Sequence, residues 1–345
     1  MRADPLWQLT LARLRMFFRE PSAVFWTFGF PLALSVALGV AFRNKPPDPV
    51  AVGVWSGPDT TGSARVLEAL RGTPGVAVSE YYGPDTRDLS TGKIALFVRP
   101  GERIEYDYDP NRPESRLARE VVDSALQRAA GRADALPTVD KPVAAPGSRY
   151  IDFLIPGLLG MNLMNSGMWG IGFALVDMRQ RKLLKRFVAT PMRRSDFLLA
   201  LTSSRLVLML IEVALLLGFG VLVFHMRVLG SILTIVLLGA IGAVAFGGLG
   251  LLTASRAQKI ESVSGLINLV MMPMWIFSGV FFSYERFPAI VHSFIRALPL
   301  TALNDALRAT ILQGASLASQ SGRLLVLVLW GGVSFVLALR WFRWT

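Results

Sequence analysis

Apolar and polar positions divide this chain into long apolar runs, one long polar insert and several short charged connectors. Ser22 to Phe42 carries no charge over 21 residues, and Tyr150 to Val176 carries one carboxylate, Asp152, near its start. Leu198–Phe224, Ser231–Ala254, Val263–Phe282 and Arg323–Leu339 are further apolar runs. At about 1.5 Å per helical residue, runs of this kind suit a hydrocarbon core about 30 Å thick. The pattern predicts an α-helical polytopic membrane protein with six transmembrane helices. A small mixed α/β extracytoplasmic domain is expected between spans one and two.

The order along the chain follows from that pattern. Residues 1–21 read as a cytoplasmic interfacial helix, with Trp7, Leu11, Leu14 and Phe18 on one face and Gln8, Arg15 and Arg19 on another. Residues 22–42 form the first span, because the apolar run exceeds the core of an ordinary cleaved signal peptide. Residues 43–149 are the outer domain, entered through NKPPDP and left through PTVDKPVAAPG. Within it, residues 50–55, 76–82, 94–98 and 103–109 read as strands, and 64–71 and 113–132 as helices. The second helix is expected to turn Leu117, Val121, Val122 and Ala125 inward. Tyr106, Asp107, Tyr108 and Asp109 read as a solvated strand face rather than a site. Residues 150–345 hold spans two to six. Between spans five and six, Ser283–Gly322 is too interrupted by charge and proline for a span, and two short helices at the outer leaflet fit better.

The connector after span two is the most charged short stretch. Asp177–Asp196 holds seven Lys or Arg against two Asp. Leu183, Leu184, Phe187 and Val188 fall on one face of a short helix, with Arg181, Lys182, Lys185 and Arg186 around them. Thr190-Pro191 ends it. Two readings of this helix stay open on its own residues: it lies on anionic headgroups, or it docks into a cytoplasmic partner.

Composition sharpens the picture. The chain has 345 residues, 52% of them hydrophobic, and a formal net charge of +12; its mean hydropathy is +0.47. Residues 43–149 hold fifteen basic and fifteen acidic side chains, so the positive excess belongs to the membrane-associated remainder. Positive-inside topology therefore explains the high isoelectric point, and nucleic acid does not. Short segments on one side carry fifteen Lys or Arg, against five on the other (Arg227, Arg286, Arg296, Arg308 and Arg323). Both termini are accordingly expected in the cytoplasm. With no cysteine and two histidines, His225 and His292, neither a thiolate site nor a histidine-built metal site is expected. No GxxxxGK[ST] loop occurs, so ATP is not expected to bind here by that route.

Several polar groups fall at membrane depth. Arg205 sits near one end of span three and Glu212 deeper; an ionisable group there is a functional hypothesis by default, with helix packing as the alternative. Asn162, Asn165 and Ser166 on span two, and Asn268 on span five, are further candidates for a substrate pathway, with inter-helix hydrogen bonding as the plainer reading. Gly239, Ala243 and Gly247 form a small-residue face suited to close helix packing.

LIPG (154–157), LLKRFVATPMRRSDF (183–197), FSGVFF (277–282), LPL (298–300) and DALR (305–308), followed by Gly314, occur in this order. Together with the succession of helix, span, outer domain and five further spans, they resemble the type-2 permease family of ABC exporters. That resemblance implies a transmembrane permease subunit moving a hydrophobic or amphipathic substrate, drug or lipid-like, out of the cytoplasm or inner leaflet of a bacterial plasma membrane. It implies a coupling helix near 179–190, contributed by Arg179, Arg181, Lys182, Leu183, Leu184, Lys185, Arg186, Phe187 and Val188, seated in a separate ATPase subunit. It also implies two ABC ATPase subunits per complex, a second permease copy, no catalysis and no cofactor in this chain, ATP being bound by the partner. Spans two and five would lie near the dimer axis. Arg179-Gln180 and Lys182-Leu183 stand where the family commonly carries acidic residues and Gly-Thr, so the partner cleft should be correspondingly acidic. An ion-coupled carrier and a membrane-anchored ligand sensor are the rival classes. The first predicts several midplane carboxylates, and the second predicts a cytoplasmic output domain.

Overall fold

The computed structural model describes residues 5–42, 49–57, 60–83, 87–133, 136, 139, 147, 149–183 and 194–341. It divides into two compact units, Lys45–Val143 and the remainder of the chain.

In the smaller unit, β-rich stretches form a four-stranded sheet of order β2-β1-β3-β4, from β1 Val50–Trp55, β2 Val76–Tyr81, β3 Leu96–Arg99 and β4 Glu105–Asp107. β1 runs parallel to both β2 and β3, and β4 is antiparallel to β3. Val52, Val54, Leu96 and Val98 pack against Val66, Leu67 and Leu70 and against Ala118, Val122 and Leu126. On the opposite face Gly53 lies under Phe97 and Ile94, where a Cβ would meet side-chain carbons at 2.9 Å.

The helix Pro113–Ala129 turns inward a face shifted from the one expected: Val122 is buried and Ala125 packs on the core as expected, but Leu117 does not. Leu117 is 56% exposed, while Ala118, Val122 and Leu126 are buried. Packing against the sheet selects the face on which 115, 118, 122 and 126 are buried. The strand tyrosines and carboxylates are structural. Tyr106 donates to Asp123 at 3.1 Å and Arg99 pairs with Asp107 at 2.7 Å. Burial, reinforced by Asp123, pushes the Tyr106 pKa up to about 12.

In the larger unit, α1 spans Pro5–Phe18, α2 Pro21–Val24 and α3 Phe30–Ala41, with a π-helical turn at Phe25–Gly29 between the last two. The helices of the smaller unit are α4 Thr60–Arg71, α5 Arg87–Thr91 and α6 Pro113–Ala129. Then come α7 Tyr150–Gly167, a π-helical segment Met168–Phe173 and α8 Ala174–Gln180, which follow one another without a break. The remaining helices are α9 Arg194–Phe224, α10 Ile232–Ala254, α11 Ile260–Phe277, α12 Ala289–Ala297, α13 Pro299–Gln313 and α14 Ser321–Trp341.

Among the described residues, five helices are long and apolar enough to cross a membrane: Pro21–Ala41, Leu199–Phe224, Ile232–Ala254, Ile260–Phe277 and Ala318–Trp341. The protein is a polytopic membrane protein. The helix beginning at Tyr150 is not among the five, and its packing gives the reason. Nearly every residue from Ile151 to Met164 is buried inside this unit. A helix wrapped by other helices needs no lipid-compatible surface, so it tolerates Asn162, Asn165, Ser166 and several glycines.

Close approach to α10 depends on those glycines. A Cβ at Gly167 would lie 2.7 Å from the Cβ of Phe246, and one at Gly250 would lie 2.7 Å from the Gly167 carbonyl. Gly248 abuts the Gly331 carbonyl of α14 at 3.0 Å in the same sense. The tightest helix contacts thus use Gly248 and Gly250, while Gly247, Ala243 and Gly239 of the expected face meet side chains or the edge of a crevice.

Candidate functional site

Two groups of residues merit attention, at opposite ends of α7. At the Tyr150 end, three of the motif stretches meet. Arg308 on α13 donates through Nε and Nη2 to the Phe153 carbonyl at 3.2 Å, and through Nη2 to the Gly279 carbonyl. Its guanidinium lies 3.6 Å from the centre of the Phe153 ring. Gly157 is required beside it, since a Cβ there would sit 2.6 Å from the Val280 carbonyl and 2.8 Å from Arg308 Nη2. Asn304 donates to the Ser278 carbonyl at 3.0 Å, and Tyr150 to the Phe281 carbonyl at 2.9 Å. LIPG, FSGVFF and DALR thus form one knot that holds α13, a mostly buried helix, against α7. Arg149, just before α7, grips Asp152 through two nitrogens at 2.8 and 3.0 Å, which pushes the Arg149 pKa up.

At the other end of α7 the candidate pathway residues separate into two sets. Asn162 donates to the Thr27 carbonyl at 2.9 Å. Thr27 belongs to the π-helical turn, whose altered ladder presents a carbonyl to a neighbouring helix. Ser166 accepts from Arg205 Nη1 at 3.2 Å. The Arg205 guanidinium lies flat on Gly170, where a Cβ would be 1.9 Å from Cζ. Glu212 is 1% exposed, and neither carboxylate oxygen makes a hydrogen bond of ordinary geometry; Ser166 and Arg205 are the groups acting on its charge. Asn165 also buries an unpartnered Oδ1. Asn162, Asn165, Ser166, Arg205 and Glu212 therefore gather along α7 and α9. Asn268 does not join them. It is exposed on α11, without a hydrogen-bonding partner among the described residues.

The sequence reading missed Arg13. Instead of facing water with Arg15 and Arg19, it turns inward, donating to the Met178 sulfur at 2.9 Å. Burial, and then the charge of Arg205, push its pKa down to about 10. Its neighbour one turn earlier, Thr10, is buried as well. The signal available was Thr10 and Arg13 at i and i+3, a polar stripe between the two faces first distinguished.

Of the connector residues, Arg179 is anchored rather than presented. It donates to the carbonyls of Ala254 at 3.0 Å, Ser255 at 3.4 Å and Ala257, at and beyond the C-terminal end of α10. A cation there satisfies orphan carbonyls and complements the negative end of the helix. Arg181 pairs with Asp177 at 2.9 Å in an exposed bridge. Lys182 takes a left-handed conformation, φ 56°, which ends α8 and redirects the chain. Leu183 is half-buried against the apolar core. Leu184, Lys185, Arg186, Phe187 and Val188 lie outside the described residues.

Among the described residues no group of three His, Cys, Asp or Glu side chains could hold a metal ion. A family model described as ABC-2 type transporter matches residues 124–312. That stretch contains α7 to α12, all but the last residue of α13, the charged connector and the segments from LIPG to DALR. No curated protein matches the chain.

Proposed function

The chain belongs to the ABC-2 type transporter family, and on that premise we propose how it works as the permease subunit of an ABC transporter. The observation that carries the reading is the family match itself, because it runs through the basic connector as well as the spans. Such membrane subunits are usually non-catalytic. In this proposal a separate ABC ATPase, two copies per complex, binds ATP and grips the coupling helix contributed by Leu183, Leu184, Phe187 and Val188, with Arg181, Lys182, Lys185 and Arg186 meeting an acidic cleft rim. Arg179 transmits the movement, since its bonds tie the end of α8 to the end of α10. Closure of the two ATPases then rocks paired bundles between inward-open and outward-open arrangements.

The helix from Tyr150 to Gln180 serves as the sixth span. Residues 43–149 lie outside, and both termini lie in the cytoplasm of a cell bounded by this inner membrane. The cargo is a hydrophobic or amphipathic molecule, exported past Asn162, Asn165, Ser166 and Glu212. A second copy of the chain packs on α11, whose face carries exposed Leu269, Met272 and Ile276 together with Asn268. Membrane lipids cover the rest.

The test is to purify the tagged chain from its own cells and assay bound ATPase and ATP-driven transport in vesicles. Replacing Leu184 and Phe187 together by Asp should remove the ATPase and abolish transport while the protein stays in the membrane. Unchanged co-purification and transport refute the docking role. One observation favours a second reading, an ion-coupled carrier: the buried carboxylate of Glu212, whose oxygens make no hydrogen bond of ordinary geometry among the described residues. Transport driven by a cation gradient in vesicles holding this chain alone would establish that reading and remove the first.

A further inference from the structure

Beside Arg205 lies a crevice lined by Leu206, Val244, Gly247, Gly248 and Phe335, with a volume of about 60 Å³. One water requires about 10–15 Å³ on the same measure, so the space admits a group of several heavy atoms. Its walls come from three candidate membrane spans, and Val244 and Phe335 at its edge are half exposed, so it opens toward lipid. Depth agrees from all three. Arg205 is six residues inside the apolar stretch that starts at Leu199, Gly248 six residues before Ala254, and Phe335 six residues before Trp341. At 1.5 Å per residue each lies roughly 9 Å in from the same end of the bundle.

Arg205 and Arg13 act on one another at this depth, and Glu212 acts on Arg205. Arg205 has five N–H donors and uses one on Ser166. A guanidinium that lines a crevice opening toward lipid at this depth draws a headgroup or water to its remaining donors, since N–H groups left unmet in hydrocarbon are costly.

We propose that this crevice is a binding site for one anionic phospholipid of the adjacent leaflet, its phosphate on Arg205 and an acyl chain along Leu206, Val244 and Phe335. The phosphate accepts from the free part of the guanidinium fork, a geometry Arg offers and a point charge does not. The backbones of Gly247 and Gly248 form part of the crevice wall. The site concerns bound lipid and is independent of which cargo is exported or which ATPase drives it.

The test uses the full chain in neutral detergent, titrated with phosphatidylglycerol or phosphatidylcholine of the same acyl composition, with bound lipid counted by native mass spectrometry. One phosphatidylglycerol should be retained at least tenfold more tightly than phosphatidylcholine. Arg205→Gln should abolish the preference. Val244→Trp, which fills the mouth and leaves the charge in place, should release the lipid while far-ultraviolet circular dichroism and the unfolding midpoint stay unchanged, so a folding defect at Arg205 cannot mimic the result. Equal retention of the two lipids, or an undiminished preference in both variants, overturns the site. Because the assay needs neither ATP nor cargo, it can fail while the permease reading stands, and the reverse.

Discussion

The helix starting at Tyr150 and the helix Ile260–Phe277 were both expected near a dimer axis, and the structure treats them in opposite ways. The first is enclosed by its own chain from Ile151 to Met164. The second buries only Val263, Ile267, Met271 and Met274 and leaves Leu266, Leu269, Met272 and Ile276 exposed. Yet the enclosed helix is the less apolar of the two, and the exposed one qualifies as a membrane span by length and composition. Between these two helices, the more apolar one is the one that its own chain leaves uncovered. A central helix exchanges apolar surface for glycine contacts and polar side chains that neighbouring helices satisfy.

Substitutions that disturb the enclosed helix should have the largest effects. Arg308→Ala removes charge-assisted hydrogen bonds to the carbonyls of Phe153 and Gly279 and uncovers the Phe153 ring. The expected loss is about 3 kcal/mol, read as a lowered unfolding midpoint in detergent. Arg308→Lys should recover little of it, because one ammonium cannot reproduce the fork. A loss below about 0.5 kcal/mol would mean that the knot does not hold α13 to α7.

Next come paired glycines. At Gly167 a larger side chain runs into Phe246 and the Gly247 backbone, whereas at Gly265 nothing lies within 4 Å. Gly167→Val should cost about 1–3 kcal/mol by overpacking, and Gly265→Val should stay within about 0.5 kcal/mol in the isolated chain. If a second copy covers α11, Gly265→Val should nonetheless weaken association, measured by cross-linking in native membranes. Equal destabilisation at both positions would erase the contrast.

That contrast was only partly legible in the amino-acid order. The strand positions of the smaller unit, the helix at 113 and the placing of two short helices between 283 and 322 follow from alternation, proline and charge. The phase of α6 does not, because two apolar pairs, Val121-Val122 and Ala125-Leu126, fit more than one inward face. The π-helical turns at Phe25–Gly29 and Met168–Phe173 leave no mark in composition. Nor does sequence reveal that Arg179 reaches back to the end of α10, since its partners are backbone carbonyls seventy-five or more positions away. The candidate site was half readable. Asn162, Ser166 and Glu212 stood out as polar groups in apolar runs, but Arg13 belonged to an ordinary amphipathic helix and its inward turn needs the bundle.

The smallest effects should come from the asparagines, and they separate the two helices most cleanly. Asn162→Leu removes one bond to the Thr27 carbonyl and should cost about 0.6 kcal/mol, typical of hydrogen bonds between membrane helices. Asn268→Leu removes no bond among the described residues, so the unfolding midpoint of the isolated protein should not fall. What happens between copies then decides what Asn268 faces. An asparagine exposed to hydrocarbon is unfavourable, and its replacement by leucine would raise stability and leave association unchanged. An asparagine pairing with its counterpart in a second copy would lose that bond, and the association constant from cross-linking should drop about threefold, the equivalent of about 0.6 kcal/mol. We expect the second outcome. The apolar neighbours Leu269, Met272 and Ile276 are satisfied by lipid or by protein alike, whereas Asn268 is satisfied only by protein or by water.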